Sequence, residues 1–217
     1  MTTQTRTLVS RATRLLPFAL LPAAPAVLLL GASIICTVGD CRPGPLDTAG
    51  MLLAARGHAP LIDTFFRAIT WAGSILVLGP LALAHAAFMW HRLRLRALYV
   101  PGALAGAVLM AYATKVLVAR ARPDVAALID MPADASFPSA HSLQVSAFVS
   151  AWLLAPARDA GRPRAGGIAL GIILVALVAW SRLHLQVHFP SDILCAIAAG
   201  TIWAVAFRQL PMWNPKP

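Results

Sequence analysis

The chain has 217 residues, of which 59% are hydrophobic and only 12% charged, with a mean hydropathy of +0.74. A soluble domain of this length needs more polar surface, so the composition indicates an integral membrane protein. The net charge is +10 and there is no Glu, but the cations are scattered between apolar runs and form no basic face with interleaved aromatics, which argues against a nucleic-acid partner.

A hydrocarbon core of roughly 30 Å takes about 20 apolar residues in a helix. Six candidates appear, taken in order: about Leu15–Val38, Trp71–Trp90, Ala97–Val118, Ser139–Leu154, Gly166–Ser181 and Ser191–Phe207, the last three short enough to begin within the protein rather than in lipid. The first follows Arg6, Arg11 and Arg14 and is too long for a signal h-region, so it is read as a retained span. Cys36 and Cys41 flank its mouth, where they either pair on an oxidising side or stay free. Cys195 falls in an apolar run and reads as packing, and no zinc-ligand spacing is present.

Between the first two spans, Leu61, Ile62, Phe65, Phe66 and Ile69 recur at helical spacing, which predicts an amphipathic interfacial helix before the second span. The fold class is therefore all-α: one domain over 1–217, a bundle of six transmembrane helices. Arg92, Arg94, Arg96, Arg158, Arg162, Arg164, Arg208 and Lys216 join the N-terminal arginines on one side of this bundle. The positive-inside rule places that side, with both termini, in the cytoplasm of a cell (inner or plasma) membrane.

Three polar islands then share the outer face. Lys115 and Arg122 are seven apart, close to two helical turns, so both can point the same way, and Pro123 releases the chain. Alone, the pair also fits snorkelling to headgroups. Pro138-Ser139-Ala140-His141 reads as a helix start whose free N–H groups make an anion site; alone, it also fits an ordinary cap. Ser181-Arg182 precedes His188 and Asp192, four apart, so the carboxylate can orient the imidazole and leave one ring nitrogen free to attack. Alone, this also fits a His–Asp pair tying down a loop. His184 reads as packing or a loop contact, His85 as a buried, satisfied residue, and Asp124, Asp130 and Asp134 as loop solvation or partners of Arg120.

Lys-x6-Arg-Pro, Pro-Ser-x-His and Ser-Arg-x5-His-x3-Asp together resemble the three-part signature of the type 2 phosphatidic acid phosphatases, over about Ala113–Asp192. Ala140 departs from the usual Gly of that signature. The resemblance implies a lipid phosphate or diphosphate phosphatase in which His188 attacks phosphorus to form a phosphohistidine. Asp192 would support His188, and His141 would protonate the leaving oxygen and then activate water. Lys115, Arg122, Arg182, Ser139 and the Ala140 backbone would hold the phosphate. It implies no cofactor and no metal, and as partners a lipid phosphate and the bilayer; oligomeric state is not indicated. Transfer of the phosphoryl group to another acceptor, or a non-catalytic anion or lipid transporter, are the competing readings.

Overall fold

The computed structural model describes residues 18–36, 41–155 and 165–213, and these are all helical or irregular, with no strand. Arg6, Arg11, Arg14, Arg158, Arg162, Arg164 and Lys216, on which the sidedness argument leans, lie outside the described residues. The helices are α1 Ala23–Ile35, α2 Pro45–Ala55, α3 Pro60–Ile69, α4 Ile75–Leu93, α5 Tyr99–Val118, α6 Ala140–Leu153, α7 Ala165–His184 and α8 Pro190–Arg208. Short 3-10 turns, Thr70–Gly73 and Arg94–Leu98, lead into α4 and α5.

Local sequence explains the starts. Pro45, Pro60 and Pro190 occupy first-turn positions where no N–H is needed. Ser74 caps α4 by accepting from the Leu76 N–H at 3.2 Å. α3 is the helix expected from the Leu61–Ile69 spacing, whereas α2 was not expected.

Ile75–Val118, which holds α4 and α5 and their 3-10 link, Ala165–His184 and Pro190–Arg208 are each long and apolar enough to cross a membrane; α1 is a shorter apolar helix. Leu76, Phe88, Leu109, Leu117, Leu170 and Ile172 stand exposed on the outsides of these helices. Such a surface suits lipid rather than water, and the chain is a membrane protein.

α6 is short because it is central. It packs against α5, α7 and α8, and Ser142, Gln144 and Ser146 are buried within it. Small residues permit the close approach: a Cβ on Gly200 of α8 would sit 2.5 Å from the Leu143 carbonyl oxygen. Leu78, Tyr99, Val100, Val145, Val178 and Ala204 form one core, fixed by the Tyr99 hydroxyl donating to the Ala204 carbonyl at 2.7 Å. Leu28, Ala107, Phe137, Leu143 and Ala196 form a second core nearer the site. Together these cores hold the end of α5, the start of α6, the end of α7 and the start of α8 at one end of the bundle.

Candidate active site

That end of the bundle carries every residue singled out in the three polar islands. α5 stops at Val118 because Ala119 turns left-handed, with φ 50° and ψ 31°. Arg122 is therefore in the following loop and not two turns up a helix from Lys115. The two cations still meet, but through a shared partner. Arg122 Nη2 lies 2.6 Å from Asp134 Oδ1, and Lys115 Nζ lies 3.2 Å from Asp134 Oδ2. Lys115 Nζ also donates to the Ala135 carbonyl. Arg122 Nη1 donates to the Val187 carbonyl at 2.7 Å and lies 3.2 Å from His188 Nε2. Asp134, read from sequence as loop solvation or a partner of Arg120, is instead the anion on the two predicted phosphate cations. Partial burial works against its charge, but the Arg122 hydrogen bond and the nearby Lys115 charge hold its carboxyl below the usual range.

Ser139 occupies the N-cap of α6 without a side-chain cap bond; its hydroxyl lies 3.0 Å from Ser142 Oγ, and its N–H donates to the Asp192 carbonyl at 3.3 Å. Ala140 and His141 form the first turn, where backbone N–H groups have no partner within the helix. His141 lies within electrostatic reach of Arg182, His188, Lys115 and Arg122. Arg182, 3% exposed at the end of α7, donates from Nη1 to Thr70 Oγ1 at 2.8 Å. Its Nε is buried and has no hydrogen-bond partner among the described residues.

His188 lies in the link to α8, after Gln186 takes a left-handed φ of 61°. Its Nδ1 is 3.4 Å from Asp192 Oδ2, longer than the hydrogen bond expected from the four-residue spacing. Oδ2 is shared: it accepts from Ser136 Oγ at 2.6 Å and from the Phe189 N–H at 3.0 Å, the acid of the first turn reaching back to cap α8. Burial pushes the His188 imidazole down to about 3, with Asp192 opposing and the Arg182 and Arg122 charges adding to the effect. His188 is thus neutral near pH 7, with Nε2 facing the cations.

Sequence reasoning missed the support beneath this arrangement. Arg120 is 1% exposed and forks between Asp192 Oδ1 at 2.5 Å and Asp47 Oδ2 at 2.6 Å. Asp47, on α2, also accepts from the Ser191 N–H and hydroxyl, both at 2.9 Å. The tandem Arg120-x-Arg122 was the only local hint. Cys36 and Cys41, left open from sequence, are disulfide-bonded. His85 Nδ1, expected to be satisfied, is buried without a partner among the described residues. His184, read as packing or a loop contact, packs on the Phe66 ring and lies 2.7 Å from Asp63 Oδ1, a contact to the first turn of α3 rather than to a loop.

The profile of the PAP2 superfamily matches residues 96–216, more than half of the chain. The chain is 36% identical over 165 residues to the decaprenylphosphoryl-5-phosphoribose phosphatase of Mycobacterium tuberculosis (strain H37Rv), covering 74% of this chain and 81% of the relative. A shorter match, 37% identical over 70 residues and 32% of each chain, is to the putative undecaprenyl-diphosphatase YbjG of Escherichia coli (strain K12). Among solved structures, the transmembrane PAP2-type phosphatidylglycerolphosphate phosphatase of Bacillus subtilis superposes with a TM-score of 0.74 at 23% identity, covering 88% of this chain and 94% of that one. LpxE of Aquifex aeolicus gives 0.61 at 20% identity, covering 76% and 95%. The three motifs, the fold they sit on and the profile that spans them agree, and this chain belongs to the PAP2 superfamily of phosphatases.

Proposed function

We propose that the chain is a lipid-phosphate phosphatase that works through a phosphohistidine on His188, in a single domain of six spans with both termini cytoplasmic and the site at the outer face of the cell membrane. The observation that carries the reading is Arg182 Nε, a buried guanidinium N–H with no partner among the described residues, within electrostatic reach of a neutral His188 whose Nε2 meets Arg122. A buried donor left unpaired is costly, and a phosphate oxygen is the acceptor that the surrounding cations favour. The Cys36–Cys41 disulfide supports an oxidising, outer location for this end of the bundle, and the exposed apolar face of α3 suits the interface.

In the first step the His188 Nε2 lone pair forms the N–P bond as the P–O ester bond breaks. His141 delivers a proton to the departing oxygen. Asp192 offsets the positive charge that His188 acquires. In the second step His141 takes a proton from water, the hydroxide oxygen bonds to phosphorus, and the N–P electrons return to Nε2. Lys115, Arg122, Arg182, Ser139 and the first-turn N–H groups at Ala140 stabilise the charge on the equatorial oxygens. These side chains supply the positive charge for which a metal would otherwise be used.

A groove of about 980 Å³ runs from Arg122 between α2 and α5, lined by Met51, Leu52, Leu117, Val118 and Phe189. It gives an apolar chain a place beside the phosphate cations, which favours a lipid ester over a soluble one. Relatives named for decaprenylphosphoryl-phosphoribose and undecaprenyl diphosphate put isoprenoid lipids ahead of phosphatidylglycerophosphate, phosphatidate and lipid A phosphate. Purified protein is expected to release phosphate from at least one lipid of that panel with chelator present, water being the acceptor, and vanadate is expected to inhibit. No release from any of them, or release only with added divalent metal, overturns the proposal.

Asp134 pairs with Lys115 and Arg122, the cations assigned here to the phosphate, and its side chain is 53% exposed. Substrate must displace it. Asp134→Asn is expected to lower KM, and the vanadate inhibition constant, by roughly fivefold, the factor that about 1 kcal/mol of a half-exposed ion pair provides. The value of kcat should stay within a few-fold. A raised KM would show that Asp134 binds substrate rather than competing with it.

A further inference from the structure

Away from the phosphate cations, three groups from separate segments converge. His58 lies in the link between α2 and α3, Asp63 in the first turn of α3, and His184 is the last residue of α7. His184 Nε2 is 2.7 Å and His58 Nδ1 is 3.2 Å from the same oxygen, Asp63 Oδ1. All three ligand-type atoms lie within 4.8 Å of one another. No sequence spacing announces this set, because His184 is 121 positions from Asp63.

We propose that His58 Nδ1, Asp63 Oδ1 and His184 Nε2 form a binding site for a divalent transition cation of the zinc class. Two imidazoles and one carboxylate are a zinc donor set that leaves a coordination position open. Zinc bonds of roughly 2.0–2.2 Å place tetrahedral donor atoms about 3.3 Å apart. The 3.2 Å separation meets that spacing, and the 2.7 Å one must open by about half an ångström. The two histidine nitrogens, the widest pair of a set within 4.8 Å, must draw together through movement of the exposed His58.

The buried and exposed members divide the work. His184 is 1% exposed and packed against the Phe66 ring, centroids 4.6 Å apart, so it is the fixed ligand. His58 is exposed and Asp63 is only partly covered, so they can adjust and give an ion a path from solvent. On binding, each histidine releases its Asp63-facing N–H: the proton of His58 moves to Nε2 and that of His184 to Nδ1. The cation takes the place of the two hydrogen bonds to Oδ1. It ties the first turn of α3 to the end of α7, while Thr70, at the other end of α3, holds Arg182.

The test is a Co²⁺ titration of chelator-stripped full-length protein in detergent. One equivalent is expected to bind with the visible spectrum of four- or five-coordinate Co²⁺ and to be displaced by Zn²⁺. Zn²⁺ should also slow amide exchange in α3. Affinity should fall at least about 100-fold in Asp63→Asn and in His58→Ala, since loss of an outer partner alone costs roughly 10–100-fold. Both positions lie outside the phosphate site, so retained phosphatase activity reports that the variants are folded. A spectrum that stays that of the aqueous ion, or binding unchanged in both folded variants, overturns the proposal. The readout does not depend on which lipid the enzyme uses.

Discussion

His188→Ala is expected to lower phosphate release by on the order of 10⁴-fold or more, the scale set by removing a nucleophile from a cooperating set. The loss should fall on kcat, with the affinity for vanadate reduced but not abolished, because Lys115, Arg122 and Arg182 remain. Burial keeps the His188 imidazole near a pKa of about 3. On the proposed mechanism no neighbouring base is therefore needed to deprotonate the ring at pH 7, and the phosphorus centre has only to replace Arg122 Nη1, 3.2 Å away, at Nε2.

The second histidine gives the same test a sharper edge. If His141 serves the leaving oxygen and then water, His141→Ala should stall the second step with an aryl phosphate, whose leaving group departs without a proton. Radiolabelled phosphate should then remain on the protein in an acid-labile, base-stable form, and the double variant with His188→Ala should show none. Turnover undiminished in His188→Ala would end the phosphohistidine reading, while label retained in the double variant would move the nucleophile elsewhere.

What the sequence made legible was set by range. The helices were readable because each long apolar run is its own signal, and α3 because Leu61, Phe65 and Ile69 repeat on one face. α2 was not readable: its buried stripe is Asp47, Met51 and Ala54, whereas Leu46, Leu52 and Leu53 are exposed, so the apolar pattern does not mark the buried face. The motif residues were readable because the chemistry is written within short islands. The meeting of Lys115 and Arg122 was foreseen for the wrong reason, since a left-handed Ala119 ends the helix and Asp134 brings the two cations together. Asp47, Ser136 and Thr70 left no local trace, because each serves a partner on a distant element.

Arg120 is the residue on which that hidden layer depends, and its replacement is the second large effect expected. Its guanidinium joins two carboxylates, Asp47 at 3% and Asp192 at 0% exposure, and stacks over the Phe189 ring with 4.2 Å to the centroid. Arg120→Met leaves both carboxylates buried and uncompensated, which costs about 3–5 kcal/mol. For a chain of this size that lowers Tm by on the order of 10 °C. Adding Asp47→Asn removes one of the stranded charges, so the double variant should lose less than the sum of the two single changes. Stability alone would fit any buried ion pair; the positioning role needs its own readout. Arg120→Lys keeps a charge but has no planar fork to span Asp47 and Asp192 together. Asp192 then loses one of the bonds that fix it beside His188, and kcat should fall by about 10–100-fold with KM nearly unchanged, as for removal of an outer orienting partner. A folded Arg120→Lys enzyme with full kcat would reduce Arg120 to a structural clamp and leave the alignment of His188 to Ser136 and the backbone of Phe189.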